Sequence, residues 1–266
     1  MGKRNPDKEM GFLDHLEELR WHILKSMLAI IIFAIAAFIF KEFVFDQILL
    51  APRRPDFWTN QWFCYLGELW SIDLCINQTP MQLVNINMSG QFSIHIWVSI
   101  VAGIIAAFPF IFREFWSFVS PALYPKEKSM ARSAIFVSSL LFLIGILFGY
   151  YIILPLSLHF FSGYMVSDDV PNMVNIDSYV SSFISVVMSA GIIFELPIVI
   201  YFLSKVGLVG PKFLRTYRKH AIVVILTIAA IITPPDVFSQ LLVSLPLLIL
   251  YEISIFISAV VAKKGT

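Results

Sequence analysis

Residues 221–262 read AIVVILTIAAIITPPDVFSQLLVSLPLLILYEISIFISAVVA, two apolar runs without a Lys or Arg, parted by Thr233-Pro234-Pro235-Asp236. Runs this apolar have no place on a water-facing helix, so the stretch reads as a hairpin of two membrane-embedded helices. The first arm, Ala221 to Thr233, would rise only about 20 Å, against a hydrocarbon core of about 30 Å. The last two helices are therefore expected to be the short ones. Bare backbone cannot sit in lipid, although the two prolines remove two donors. The turn is thus expected to stop short of the far surface, under thinned bilayer or a water-filled cavity. Asp236 either caps the helix that follows or serves a functional turn.

Four more apolar segments precede the hairpin, at about Trp21–Phe45, Ser89–Phe112, Ser133–Phe161 and Tyr179–Leu203. The expected fold is all-α: one polytopic domain over residues 1–266 with six transmembrane helices. Composition agrees. The chain is 58% apolar and 14% charged, with mean hydropathy +0.81, against about 45–50% and about 25% for a soluble domain. A net charge of +1 lends no support to a nucleic-acid partner. The N-terminal MGKRNPDKEMGFLDHLEELR mixes both signs of charge, lacks a short apolar core and does not read as a removable signal peptide.

Lys and Arg concentrate on one side of a six-span layout. The segments 1–21, 113–132 and 204–220, the span ends beside them and the C-terminus carry all of them except Lys41, Arg53 and Arg54. By the positive-inside rule both termini are cytoplasmic, and 46–88 is a long periplasmic loop. That loop holds Trp58, Trp62 and Trp70, aromatic residues suited to the membrane interface, so short helices lying against the bilayer are expected there. Its cysteines, Cys64 and Cys75, either pair in an oxidising compartment or remain two thiols.

No metal-ligand cluster, Walker loop, GxGxxG or GxSxG occurs, and the five histidines are scattered. No cofactor and no enzymatic activity are expected. Gly145 and Gly149 read as a close helix contact. Four polar features remain. Phe12, Leu16, Leu19 and Ile23 recur at helical spacing, which makes 1–21 an amphipathic helix on the cytoplasmic surface with its acids turned away from that stripe. The loop 113–132 crowds Phe115, Trp116, Phe118 and Tyr124 around Glu127, with Pro121 and Pro125 pre-setting its bends. Glu195 lies mid-span, where an acid costs about 2.5–3.5 kcal/mol and marks a partner contact, ion path or cavity. Pro197 removes a helix hydrogen bond and is expected to kink that span. Asp236, in the turn already described, is the fourth.

These pieces resemble the TatC family of the twin-arginine translocase. The matching runs are His15-Leu16-x-Glu18-Leu19-Arg20, then Phe118-Val119-Ser120-Pro121-Ala122-Leu123-Tyr124 followed by Glu127. Next come Phe194-Glu195-x-Pro197 and Thr233-Pro234-Pro235-Asp236-Val237-Phe238-Ser239-Gln240. They run along nearly the whole chain in the family's order. The first outside loop, with both cysteines, is longer than the family pattern.

The resemblance implies an inner-membrane protein that binds twin-arginine signal peptides. It also implies recruitment of single-span TatA-like and TatB-like partners and export of folded cargo on the proton-motive force. Glu18 and Glu127 become the signal-peptide contacts, supported by Phe118 and Arg20. Glu195 becomes the partner contact, held in a pocket reached from the lipid. Pro52 matches a proline just past the first span. The chain is expected to act as a homo-oligomer within a larger complex. The rival readings are a proton-coupled transporter working through Glu195, an intramembrane enzyme, for which no nucleophile and base pair up, and a passive scaffold.

Overall fold

The computed structural model describes residues 12–72, 74–78, 81–119, 131–167, 169, 172–233 and 237–264. Ten α-helices dominate them: α1 (Phe12–Ile39), α2 (Trp58–Trp70), α3 (Gly90–Val119), α4 (Ala131–Phe148), α5 (Leu154–Gly163), α6 (Ile176–Phe194), α7 (Leu196–Lys205), α8 (Pro211–Thr216), α9 (Arg218–Ile232) and α10 (Val237–Lys264). Five stretches are long and apolar enough to cross a bilayer: His15–Ile39, Gly90–Val119, Ser133–Gly163, Ile176–Lys205 and Ser239–Lys263. Helix α9, at 15 residues, rises about 22 Å and stays short of the core. Only the first arm of the hairpin is short; α10 has 28 residues, which corrects the expectation that both arms are.

Boundaries move elsewhere too. No break separates the N-terminal segment from the first span, because Phe12 to Ile39 is one helix. The described part of 1–21 is therefore continuous with the span and is not a separate surface helix. Helix α3 runs to Val119, so the first residues of the 113–132 loop are helical. Phe115, Trp116, Phe118 and Val119 continue the apolar pattern there, and no proline or glycine occurs before Pro121. The 204–220 loop contains α8.

The chain folds as two compact units. One joins Met1–Ile39 with Ser99–Ser139; the other joins Phe40–Val98 with Leu140–Thr266. In the first, α1 and α3 approach almost backbone to backbone. A Cβ on Gly103 would lie 2.8 Å from Ala34 N and from Ile30 O, the close contact that small residues allow between membrane helices. Phe33 and Phe110 pack on the same seam, ring centres 5.8 Å apart.

In the second unit, the Gly145/Gly149 pair does pack closely. A Cβ on Gly145 would lie 2.7 Å from Ala190 O and 2.8 Å from the Phe194 Cβ. A π-helical turn, Gly149–Ile153, joins α4 to α5 ahead of Pro155. Proline has no N–H, so it leaves the carbonyl four residues back without its helical donor. That carbonyl, Tyr151 O, accepts a hydrogen bond from Thr59 Oγ1 at 2.6 Å. Asn60 Nδ2 donates to Pro52 O at 3.2 Å and to Arg54 O at 2.8 Å. Asn77 Nδ2 donates to Asn60 Oδ1 at 3.2 Å and to Pro155 O at 3.0 Å. Pro52 is itself fully buried, in the short 3₁₀ segment Ala51–Arg53.

The 46–88 loop thus folds onto the span ends of its own unit. Trp58 and Trp62 stack at 6.0 Å on α2, both largely exposed, and Cys64 and Cys75 are joined as a disulfide. Gly67 lets the chain turn back at the end of α2, since a Cβ there would lie 2.6 Å from Ile72 O. Two short strands, β1 (Leu83–Val84) and β2 (Val174–Asn175), pair in parallel with Leu83 opposite Val174, a feature the sequence pattern did not announce.

Asn60 and Asn77 are both buried, so truncating Asn60 strands several polar partners at once. Asn60→Ala is expected to cost about 1–3 kcal/mol. Thermal unfolding in detergent should register the loss, with exposed Asn85→Ala near wild type; equal melting of the two would refute the network's structural weight.

Candidate functional site

Helical spacing places His15, Glu18, His22 and Lys25 on one stripe of α1, three or four residues apart. Ring contacts show that this stripe meets the end of α3. His15 stacks on Phe118 with ring centres 4.5 Å apart and planes 18° apart. His22 meets the same ring edge-on at 6.3 Å. His22 Nδ1 donates to Glu114 Oε2 at 2.6 Å, and Lys25 Nζ lies 3.7 Å from the same oxygen. Side-chain exposures of 15% and 20% for His22 and Glu114 put this pair in a partly dry setting, where charge-assisted bonds gain strength. Two acids thus meet at this seam, Glu18 on α1 and Glu114 on α3, and Glu114 is the one with partners among the described residues. Glu18 Oε2 is shielded from solvent and has no hydrogen-bond partner among the described residues.

Arg20 stands about 140° around the helix from His15 and is exposed, so the structure does not bring it to Phe118. Glu127 and Asp236 lie outside the described residues. His22 and Glu114 were missed in the sequence, and His15 was read only as part of a motif, without its contact to Phe118. Their only trace was the seven-residue spacing of the two histidines, two turns on one face, and the acid four residues before Phe118.

The second polar feature lies in the other unit. Glu195 separates α6 from α7, and the span breaks there. Its N–H is directed at both Ile192 O and Ile193 O, and Ile193 O is the carbonyl that Pro197 leaves without a helical donor. The kink expected from Pro197 is thus present, centred on Glu195. The side chain is half-buried, with Oε1 shielded from solvent. Around it the helices are tight: Phe148 and Phe194 pack at 5.5 Å, and Gly191 admits Phe142 and Ile146.

The model of the family described as "Sec-independent protein translocase protein (TatC)" matches residues 14–246. The chain belongs to the TatC family. A TatC of Blattabacterium is 39% identical over 98% of this chain and 99% of its own length. A TatC of Aquifex aeolicus is 36% identical over 96% and 97%. A solved structure titled "Crystal Structure of Twin Arginine Translocase Receptor- TatC" superposes with a TM-score of 0.68 at 36% identity, covering 93% of this chain and 99% of that one. A second, of TatC in DDM, gives 0.70 at 36% identity. This TatC chain is therefore a subunit of the Sec-independent, twin-arginine translocase, a multi-pass inner-membrane transport protein rather than a catalytic enzyme.

If the His22–Glu114 bond clamps the TatC α1 to α3, removing it should loosen that pair locally. Spin labels at the exposed positions 17 and 117 are expected to give a narrow distance distribution that broadens in Glu114→Ala. An unchanged distribution would show that the clamp holds nothing.

Proposed function

We propose that this TatC chain binds twin-arginine signal peptides at its α1–α3 face, with Glu18 and Glu127 as the paired acceptors and Phe118 as the apolar floor. The observation that carries the reading is the shielded Oε2 of Glu18, without a hydrogen-bond partner among the described residues, on the stripe that meets Phe118. Such an oxygen calls for an external donor, because a buried acceptor left unmade costs about 1–3 kcal/mol or more. A guanidinium supplies a planar fork that fits a carboxylate in bidentate fashion, which an ammonium cannot copy. Two arginines require two acceptors, and Glu127 follows the same aromatic segment nine residues after Phe118. Arg20 supports the site from the outer side of α1.

The peptide arrives from the cytoplasm, where charge placement sets both termini. Glu195, at the broken span, then engages a polar group on a single-span TatA-like or TatB-like partner. Several copies of the chain assemble with those partners, and the proton-motive force drives folded cargo across.

Glu18→Ala and Glu127→Ala are each expected to weaken binding of an Arg-Arg peptide by about ten- to a hundredfold, the value of a hydrogen bond to a charged group. Binding of the matching Lys-Lys peptide should be weak in all three proteins. Fluorescence titration in detergent measures both, and mutants that bind the Arg-Arg peptide like wild type would overturn the assignment. For Glu195→Ala, peptide affinity is expected to hold while photocrosslinks from the neighbouring Ile192 to a partner's span decline. Retained crosslinks, or peptide affinity lost alongside them, would remove Glu195 from partner binding.

A further inference from the structure

A second polar site lies away from the residues assigned to peptide and partner. Lys41, Glu42, Phe45, Asp46, Gln91 and His95 line a cavity of about 480 Å³, open on one side. The volume falls within the about 300–1,000 Å³ of small-molecule sites. The cavity wall carries one cation, Lys41, and two acids, Glu42 and Asp46, close together. His95 leans edge-on against Phe45, ring centres 5.6 Å apart, closing one wall.

The level of the cavity in the membrane follows from the spans. Lys41 comes two residues after the span His15–Ile39 ends, Gln91 opens the span Gly90–Val119, and Ile176, also in the lining, opens the span Ile176–Lys205. Three span ends meet one cavity, so it stands at headgroup depth. Two of them are N-termini of long helices, whose partial positive charge adds to that of Lys41 and favours a phosphate. Glu42 and Asp46, on the same wall, favour an ammonium. Beside the opening, Phe43, Phe92 and Ile96 are exposed at 53%, 64% and 40%, an apolar flank for acyl chains.

We propose that this cavity binds the headgroup of a zwitterionic phospholipid bearing a primary ammonium, a phosphoethanolamine. Lys41 and the opening turn of α3 take the phosphate; Glu42 and Asp46 take the ammonium by hydrogen bonding. A phosphoglycerol headgroup brings the phosphate and two hydroxyls but no cation to set against the two acids. A phosphocholine headgroup has no N–H to donate.

Native mass spectrometry of the full chain, with added phosphatidylethanolamine, phosphatidylglycerol or phosphatidylcholine of equal acyl length, tests this directly. Wild type is expected to retain phosphatidylethanolamine about two- to fivefold better than either other lipid, the scale of partly exposed ion pairs. Glu42→Gln with Asp46→Asn should erase that preference and raise phosphatidylglycerol retention. Lys41→Gln should lower retention of both. All three side chains are exposed, so folding is not at stake, and circular dichroism verifies it. Equal retention of the three lipids by wild type, better retention of phosphatidylglycerol, or a preference untouched by the acid variants would each overturn the proposal.

Discussion

In a hydrocarbon layer every backbone N–H and C=O needs a partner within the protein, and each one left bare costs several kcal/mol. This chain sets that constraint against itself by carrying a proline in four of its five long spans: Pro109, Pro155, Pro197 and Pro246. Each removes one helical donor and strands one carbonyl. Two of the solutions are visible. Tyr151 O, stranded by Pro155, is taken by the Thr59 hydroxyl from the loop that folds over the span ends. Ile193 O, stranded by Pro197, is approached by the Glu195 amide of its own helix. The first solution recruits a loop as structure, and the second bends a span. The buried Asn60–Asn77 pair lies beside the first, with Asn77 donating to Pro155 O. One loop hydroxyl thus answers to a missing N–H inside a helix.

The same accounting applied to side chains separates two acids that the sequence cannot rank. Glu18 and Glu114 both approach the α1–α3 seam. Glu114 holds His22 and Lys25, so its capacity is largely spent on holding one helix to the other. Glu18 keeps a shielded oxygen with no donor among the described residues. In a purely structural seam such an acid costs more than an apolar residue of similar size.

How much was legible follows from the range of each signal. The spans were readable because hydropathy over about 20 residues is a local property, and the short first arm of the hairpin followed from counting residues. The kink at Glu195 was readable because Pro197 acts within one turn. The misreadings came where local polarity stood in for a boundary: charged residues before Trp21 suggested a separate surface helix and those after Phe112 a loop, yet α1 and α3 continue through them. A charged helix face can extend out of the bilayer as easily as a loop can. The pairings His22–Glu114, Thr59–Tyr151 and Leu83–Val174 join residues about 90 positions apart. No window of one sequence carries that information.

Glu195 shows what such a break does for an acid inside a span. A continuous helix would present its mid-span acid to lipid with no backbone nearby to share the polarity. By ending α6 and starting α7 at Glu195, the chain sets the acid at a helix N-terminus, where acidic side chains are favoured. The carboxyl makes no cap hydrogen bond to α7, so it is the break itself, and not a cap, that lowers the cost of the acid. Pro197 supplies the break, and Gly145 and Gly191 let the surrounding helices close around it. The kink, the acid and the small residues are thus parts of one arrangement, and a continuous helix in place of the kink would raise the cost of keeping the acid in the span.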